Sequence, residues 1–204
     1  MEAVKSNKGR KALSITGRIS AYGNMRICVY GAAMEEIADI YKKETEKLGE
    51  LLASRGHELV YGGGARGLMG AAARGVKRGG GRILGIAPSF FNVDGELFDA
   101  CDEFIYPDTM RERKMLLEDK SDAFVILPGG IGTFDEFFET LVLRSLGKMP
   151  KPIAVFNIAG YYEPMQQMME HAVRTGFVPE DRLTMYRVFE EAEKMLLYLE
   201  QEQK

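Results

Sequence analysis

The sequence predicts an α/β protein with a doubly wound parallel sheet, and two patterns in its 204 residues predict this class. Short apolar runs rich in Val, Ile and Leu recur without polar alternation, as in strands that are covered on both faces. Amphipathic segments with apolar residues three and four apart separate these runs. Strand and helix therefore alternate along the chain, which is typical of a parallel sheet flanked by helices. At this length we expect one domain.

The predicted elements follow one another without an internal repeat. Strands are predicted at Arg26 to Tyr30, Glu58 to Tyr61, Arg82 to Ala87, Phe104 to Tyr106, Ala123 to Leu127, Pro152 to Phe156 and Thr184 to Val188. Helices are predicted at Glu35 to Ser54, Leu68 to Lys77, Met110 to Lys120, Asp135 to Leu146, Tyr161 to Arg174 and Phe189 to Leu199. We interpret residues 25–204 as one Rossmann-like domain. Residues 1–24 are basic and lack an apolar signal segment, which favours a flexible N-terminal extension, with an organelle-targeting segment as the alternative.

Composition and charge argue against several classes of protein. The net charge is −3 and charges of both signs are scattered along the chain, so no nucleic-acid partner is expected. The apolar runs are shorter than a membrane span, so no membrane partner is expected either. Cys28 and Cys101 have neither metal-ligand nor redox spacing, which favours thiols in a reducing cytosol and a cytoplasmic location. His57 and His171 lie far apart and no Gly-x-Ser-x-Gly turn occurs, which argues against a zinc site and against a serine or cysteine hydrolase.

The first glycine-rich turn follows the second predicted strand and reads YGGGARGLMG. Its spacing Gly62-x-Gly64-x-x-Gly67 matches the dinucleotide fingerprint, but the next strand ends in IAPS without an acid for the ribose hydroxyls, which argues against NAD. We expect Gly63 and Gly64 to let the backbone approach a ligand. The alternative is that these glycines only pack the helix tightly against the sheet.

The second glycine-rich turn, PGGIGTFDE, follows the strand that ends at Leu127. Its glycines and the predicted start of a helix at Thr133 make it a natural place for a phosphate, because helix N-terminal amides and the helix dipole favour anions. Neither turn has the lysine loop of a nucleoside triphosphatase. Glu136 has two interpretations. It completes a capping box with Thr133, or it is a carboxylate held beside a sugar.

A third stretch, MRERK at Met110 to Lys114, opens a predicted helix at the same edge of the sheet. Positive charges near a helix N-terminus are unfavourable for the helix, which indicates another use for Arg113 and Lys114. The alternative is a solvated charged face in which Glu112 and Glu118 are their partners.

Taken together, YGGGARGLMG, MRERK, PGGIGTFDE and the later GYYEP resemble the LOG (Lonely Guy) family of nucleotide phosphoribohydrolases, some of which were earlier labelled lysine decarboxylases. The resemblance implies hydrolysis of the N-glycosidic bond of a nucleoside 5′-monophosphate, of the cytokinin or AMP type, to a free base and ribose 5-phosphate. It implies no metal or other cofactor, and a homodimer. It assigns Arg113 and Glu136 as the catalytic pair. The substrate-binding residues that it implies are Lys114, Gly129, Gly130, Ile131, Gly132, Thr133, Phe134 and Asp135, to which we add Gly63, Gly64 and Met110.

Two departures from the family pattern leave the base preference open. Gly31-Ala32-Ala33-Met34 stands after the first strand where relatives usually have serines, and Val142-Leu143-Arg144-Ser145 stands where many have Thr-Trp-Ala-Gln. The main alternative function is a non-catalytic carrier of a nucleotide or of a phosphorylated cofactor of the molybdenum-cofactor type. A pyridoxal-dependent decarboxylase is less favoured, since no lysine stands in a context that suggests Schiff-base chemistry.

Overall fold

The computed structural model describes residues 23–91 and 95–203. Most of the predicted extension 1–24 lies outside this range and stays a prediction. The described residues form one seven-stranded sheet in the order β4-β3-β2-β1-β5-β6-β7, and every neighbouring pair is parallel. The strands are β1 (Arg26–Tyr30), β2 (Glu58–Tyr61), β3 (Ile83–Ile86), β4 (Glu103–Ile105), β5 (Ala123–Ile126), β6 (Ile153–Phe156) and β7 (Arg187–Phe189).

Six α-helices of the described residues cover the two faces of this sheet. They are α1 (Asp39–Ser54), α2 (Gly67–Arg78), α3 (Met110–Asp119), α4 (Ile131–Ser145), α5 (Glu163–Arg174) and α6 (Ala192–Glu202). One core cluster packs α1, α2 and α6 against the sheet, and a second packs α3, α4 and α5 against the opposite face. The four-residue strands β2, β3, β5 and β6 are almost wholly buried, as their unbroken apolar runs predict. The predicted fold class is confirmed.

The predicted start of α4 was wrong, and the difference matters for the site. The helix begins at Ile131 with Gly130 as its N-cap, and the amide of Phe134 donates to the Gly130 carbonyl over 3.0 Å. Thr133 is therefore inside the first turn and is not an N-cap, so the capping box with Glu136 does not form. A smaller error lies near the C-terminus, where Phe189 belongs to β7 and not to α6.

The strand order reverses at β1, which lies between β2 and β5. Ligands bind in the crevice outside the carboxyl ends of the strands at such a switch point. The chain leaves β1 through residues 31–38 and leaves β5 through residues 127–130, so these two loops line the crevice. The first glycine turn, after β2, lies beside them.

Candidate active site

A cavity of about 460 Å³ opens at this carboxyl edge of the sheet. The loop after β1, both glycine turns and the start of α3 contribute to its wall. The residues that line it are Gly31, Ala32, Ala33, Met34, Gly62, Gly64, Arg66, Met69, Phe91, Glu96, Leu97, Met110, Arg113, Lys114, Gly130, Gly132, Thr133, Asp135 and Glu136. The three segments that the sequence singled out therefore meet in one place.

Arg113 and Glu136 form an ion pair in the wall of the cavity. The Arg113 Nη1 atom donates to Glu136 Oε1 over 2.8 Å, and its Nε donates to the carbonyl of Ile86 over 3.3 Å. The two side chains are only 10% and 12% exposed. Arg113 is thus not part of a solvated helix face, and that alternative interpretation of MRERK was wrong for this residue. Glu112 Oε2 instead accepts a hydrogen bond from the amide of Asp108, just before the start of α3.

Burial raises the pKa of the Glu136 carboxyl above its usual range, and the neighbouring Arg113 guanidinium opposes that shift. The carboxylate is thereby held in a site that is short of water but has a fixed cation beside it. Such a group can stabilise positive charge that develops nearby, or it can accept a proton from a water molecule.

The second glycine turn presents open backbone to the cavity. The first amides of a helix, here those of Ile131, Gly132 and Thr133, have no acceptor within the helix. A side chain at Gly130 or Gly132 would meet no atom within 4 Å, so space adjoins both glycines. Gly129 differs from them, because a Cβ there would lie 2.1 Å from Thr133 Oγ1. The turn is therefore shaped to bring amides, and the positive end of the α4 dipole, next to an anion.

The first glycine turn is closed by protein atoms. A Cβ at Gly62 would lie 2.1 Å from Arg113 Nη2, so the absence of a side chain there makes room for the guanidinium. Gly63 is buried against Phe104, and its φ of +77° favours glycine. At the start of α2, the Gly67 amide donates to Glu35 Oε2 over 2.8 Å and the Leu68 amide donates to the Ala32 carbonyl over 2.8 Å. This turn supports Arg113 and leaves little for an anion to bind.

Lys114 faces the acidic side of α4. Its ammonium contacts Glu139 and lies 3.1 Å from Asp135 Oδ2. The hydrogen bond to Glu139 and the one to Asp135 raise the pKa of Lys114 above its usual range. The ammonium is therefore held in its charged form at the rim of the cavity.

Most of the predicted site residues line the cavity, but not all of them do. Four of them do not: Gly63, Gly129, Ile131 and Phe134. Sequence reasoning missed the lining residues Arg66, Met69, Phe91, Glu96 and Leu97. The last three come from the connection between β3 and β4, which folds back so that Gly64 pairs with Leu97. No local motif marks that connection, whereas Arg66 and Met69 lie within YGGGARGLMG and its helix start.

The open parallel sheet with helices on both faces defines a Rossmann-type protein. Helix amides and a buried ion pair lie at the switch point of this sheet, and they form a site suited to a phosphorylated ligand. The model of the family described as possible lysine decarboxylase matches residues 69–199. The chain belongs to this family, the LOG family that its motifs resemble.

Two curated relatives cover most of the chain. It is 36% identical over 171 residues to a probable cytokinin riboside 5′-monophosphate phosphoribohydrolase, LOGL9, of Oryza sativa subsp. japonica, covering 82% of this chain and 74% of the relative. It is 38% identical over 165 residues to the cytokinin riboside 5′-monophosphate phosphoribohydrolase of Mycobacterium tuberculosis, covering 80% and 87%. The molybdenum cofactor carrier protein of Chlamydomonas reinhardtii superposes with a TM-score of 0.66 at 21% identity, covering 87% and 96%, and this likeness shows the fold alone.

Neither a metal-binding cluster nor a membrane-spanning helix occurs in the described residues. No group of three or more His, Cys, Asp and Glu side chains in residues 23–91 and 95–203 is arranged to hold a metal ion. No helix in the same ranges has the length and apolar character needed to cross a membrane.

Proposed function

We propose that this protein hydrolyses the N-glycosidic bond of a nucleoside 5′-monophosphate and releases a free base and ribose 5-phosphate. The observation that carries the proposal is the buried Arg113–Glu136 pair in the wall of a cavity that also presents the open amides of α4. The relatives named as phosphoribohydrolases support the same reaction. The described residues thus offer both a phosphate cradle and a carboxylate one helical turn away from it.

In the proposed reaction the 5′-phosphate binds the amides of Gly130, Gly132 and Thr133. This remote contact positions the ribose beside Glu136, since phosphate binding energy can be used to orient the reacting ring. As the glycosidic bond breaks, positive charge builds on the ribose, and the Glu136 carboxylate stabilises it. The electrons of the glycosidic bond leave with the base. Glu136 orients a water molecule whose hydroxyl adds to C1′, and the remaining proton of that water reaches the base nitrogen.

Arg113 has two roles in this scheme. Its guanidinium favours the ionised form of Glu136 and so opposes the effect of burial on the pKa of that carboxyl, and its other N–H groups can donate to the substrate. Lys114 adds positive charge at the rim, where it can pair with a phosphate once it leaves Asp135.

The rest of the cavity favours a base with an apolar substituent. Met34, Met69, Phe91, Leu97 and Met110 all line it, and hydrophobic lining of this kind favours apolar groups in a ligand. Cytokinins are adenines with such a substituent on the exocyclic amine. We therefore infer that a cytokinin riboside monophosphate is a better substrate than AMP.

The decarboxylase description of the family does not suit this site. A Schiff-base lysine must give up its proton to attack a carbonyl, and lysines that do so usually have a lowered pKa. Lys114 is the lysine that lines the cavity, and its acidic partners raise its pKa. A non-catalytic carrier is also disfavoured, because binding alone does not require a buried carboxylate next to the sugar position.

We also infer a homodimer, on the basis of one apolar stripe on the solvent side of α4. Ile131 is 89% exposed, Val142 54% and Leu146 64%, and the half-buried Phe138 lies between them. A second copy of this chain would bury the stripe, and Ile131 adjoins the cavity turn.

Val142→Asp should halve the mass measured by light scattering in solution. An unchanged mass would place the contact elsewhere.

The direct test is incubation of the purified protein with cytokinin riboside monophosphate, AMP and the corresponding nucleosides, with assay of free base and ribose 5-phosphate. We expect release from the nucleotides, fastest from the cytokinin nucleotide, and little from the nucleosides. Tight nucleotide binding without release would support the carrier function instead.

A further inference from the structure

We propose that Tyr161 and Tyr162 are positioning residues that hold the turn after β5 with its amides facing the substrate. The inference rests on the proposed function, and it assigns a role to the GYYEP motif that the catalytic scheme does not use. Neither hydroxyl belongs to the cavity lining, so each acts through the backbone that it binds.

Three successive carbonyls of this turn each accept a hydrogen bond. The Tyr162 hydroxyl donates to Leu127 O over 2.7 Å, and the Tyr161 hydroxyl donates to Gly129 O over 2.6 Å. Between them, the amide of Ala32 donates to Pro128 O over 3.1 Å. Two of the three donors are thus tyrosine side chains from a segment more than 30 residues further along the chain.

Peptide geometry turns the bonds to Pro128 O and Gly129 O into an orientation of the following amides, whereas the bond from Tyr162 to Leu127 O anchors the start of the turn, since Pro128 has no N–H. In a trans peptide the carbonyl and the following N–H point in opposite directions. A Gly129 carbonyl fixed by Tyr161 therefore directs the Gly130 amide to the other side, and Gly130 lines the cavity. Glycine rotates more freely than any other residue, so this peptide needs an external constraint to keep one orientation.

The tyrosines are themselves held firmly. Tyr162 is fully buried, its amide donates to Asn157 Oδ1 over 2.7 Å, and its ring packs edge-on against Phe134 of α4. Tyr161 packs edge-on against Tyr41 of α1. The chain reaches them through Ala159, whose φ of +52° is unfavourable for a residue with a side chain. Such a conformation persists only where the surrounding contacts impose it.

A purely structural role for these hydroxyls would affect stability alone, so the test must measure phosphate binding. Tyr161→Phe removes one hydroxyl at a position that is 37% exposed. The matched control is Tyr186→Phe, because the Tyr186 hydroxyl also makes a 2.6 Å bond, to Gln166 Oε1, outside the cavity lining. Binding of ribose 5-phosphate is measured by calorimetry, together with kcat and KM for the nucleotide and the melting temperature.

We expect Tyr161→Phe to weaken ribose 5-phosphate binding about three- to tenfold and to raise the KM for the nucleotide by a similar factor, as loss of one hydrogen bond predicts. Tyr186→Phe should leave both values unchanged. The inference is overturned if Tyr161→Phe binds like the wild type in an active enzyme, or if both variants weaken binding equally. Wild-type protein that neither binds nor releases ribose 5-phosphate would overturn the proposed function as well.

Discussion

The turn after β2 and the turn after β5 are both rich in glycine and each leads into a helix, but the two helices begin differently. At α2, the amides of Gly67 and Leu68 already have acceptors in Glu35 and Ala32. At α4, the first amides have no acceptor within the helix, and open space adjoins Gly130 and Gly132. A glycine-rich turn before a helix is therefore not sufficient to indicate an anion site. An anion site also requires helix amides that no acceptor of the protein already occupies.

The largest effect should come from the helix that follows the second turn. Glu136→Gln keeps the size of the side chain and removes its charge, so the proposed stabilisation of the ribose cation is lost. We expect kcat to fall by about 10³-fold and the free energy of unfolding to change by no more than about 2 kcal/mol. The measurement is ribose 5-phosphate release together with chemical denaturation. Glu139→Gln, one helical turn further on, is the matched control and should retain most activity. Activity within tenfold of the wild type in Glu136→Gln would contradict the assignment.

The next largest effect on activity should come from a substitution in the turn after β2, because this turn packs against Arg113. Gly62→Ala places a methyl group where the Arg113 guanidinium now lies, 2.1 Å from Nη2. The guanidinium must move and its bond to Glu136 must lengthen. We expect kcat/KM to fall by about 10²-fold. If activity is unchanged, the packing of Arg113 on this turn has no functional consequence.

A pair of glycine substitutions separates the two turns most cleanly. Gly67→Ala combines a φ of +57° with a Cβ 2.5 Å from the Ala32 carbonyl, and it should destabilise the fold by about 2 kcal/mol. Gly132→Ala has space and lies in a helix, so it should stabilise the fold by up to about 1 kcal/mol. Its methyl group also enters the phosphate position and should raise KM about tenfold. Thermal melting and steady-state kinetics check both variants. Similar behaviour of the two would remove the distinction between the turns.

The smallest effect concerns pH. Burial raises the pKa of Glu136, and the proposed active form is ionised, so activity should fall on the acid side at a higher pH than an ordinary glutamate would give. The contribution of Glu136 to the free energy of unfolding changes with pH in the opposite direction. Between the unfolded and the folded pKa of Glu136, the folded state binds more protons than the unfolded state. This contribution therefore decreases as the pH rises through the folded pKa. Arg113→Met removes the cation that opposes this shift, so it should move the acid limb of kcat/KM to still higher pH. A wild-type acid limb at the ordinary pKa of glutamate would contradict the raised pKa of Glu136.

Local pattern was enough to predict most of the fold. Buried apolar runs and helical periodicity depend on neighbouring residues, so the positions of β1 and β2 agreed with the structure to the residue. The start of α4 was misjudged because Thr133 and Glu136 match a capping box in spacing. In the structure Gly130 is the N-cap and Glu136 pairs with Arg113, which no local rule indicates.

The sequence by itself determined the alternation of strand and helix, the two glycine turns and the residues from which the site is built. The tertiary structure alone decided which of these residues act together. Arg113 meets Glu136, Glu35 occupies the amide of Gly67, and Tyr161 binds Gly129 only because the parallel sheet brings the segments after β1, β2, β4, β5 and β6 to one edge. These contacts span 23 to 32 residues along the chain, a range over which helix and strand periodicities carry no information.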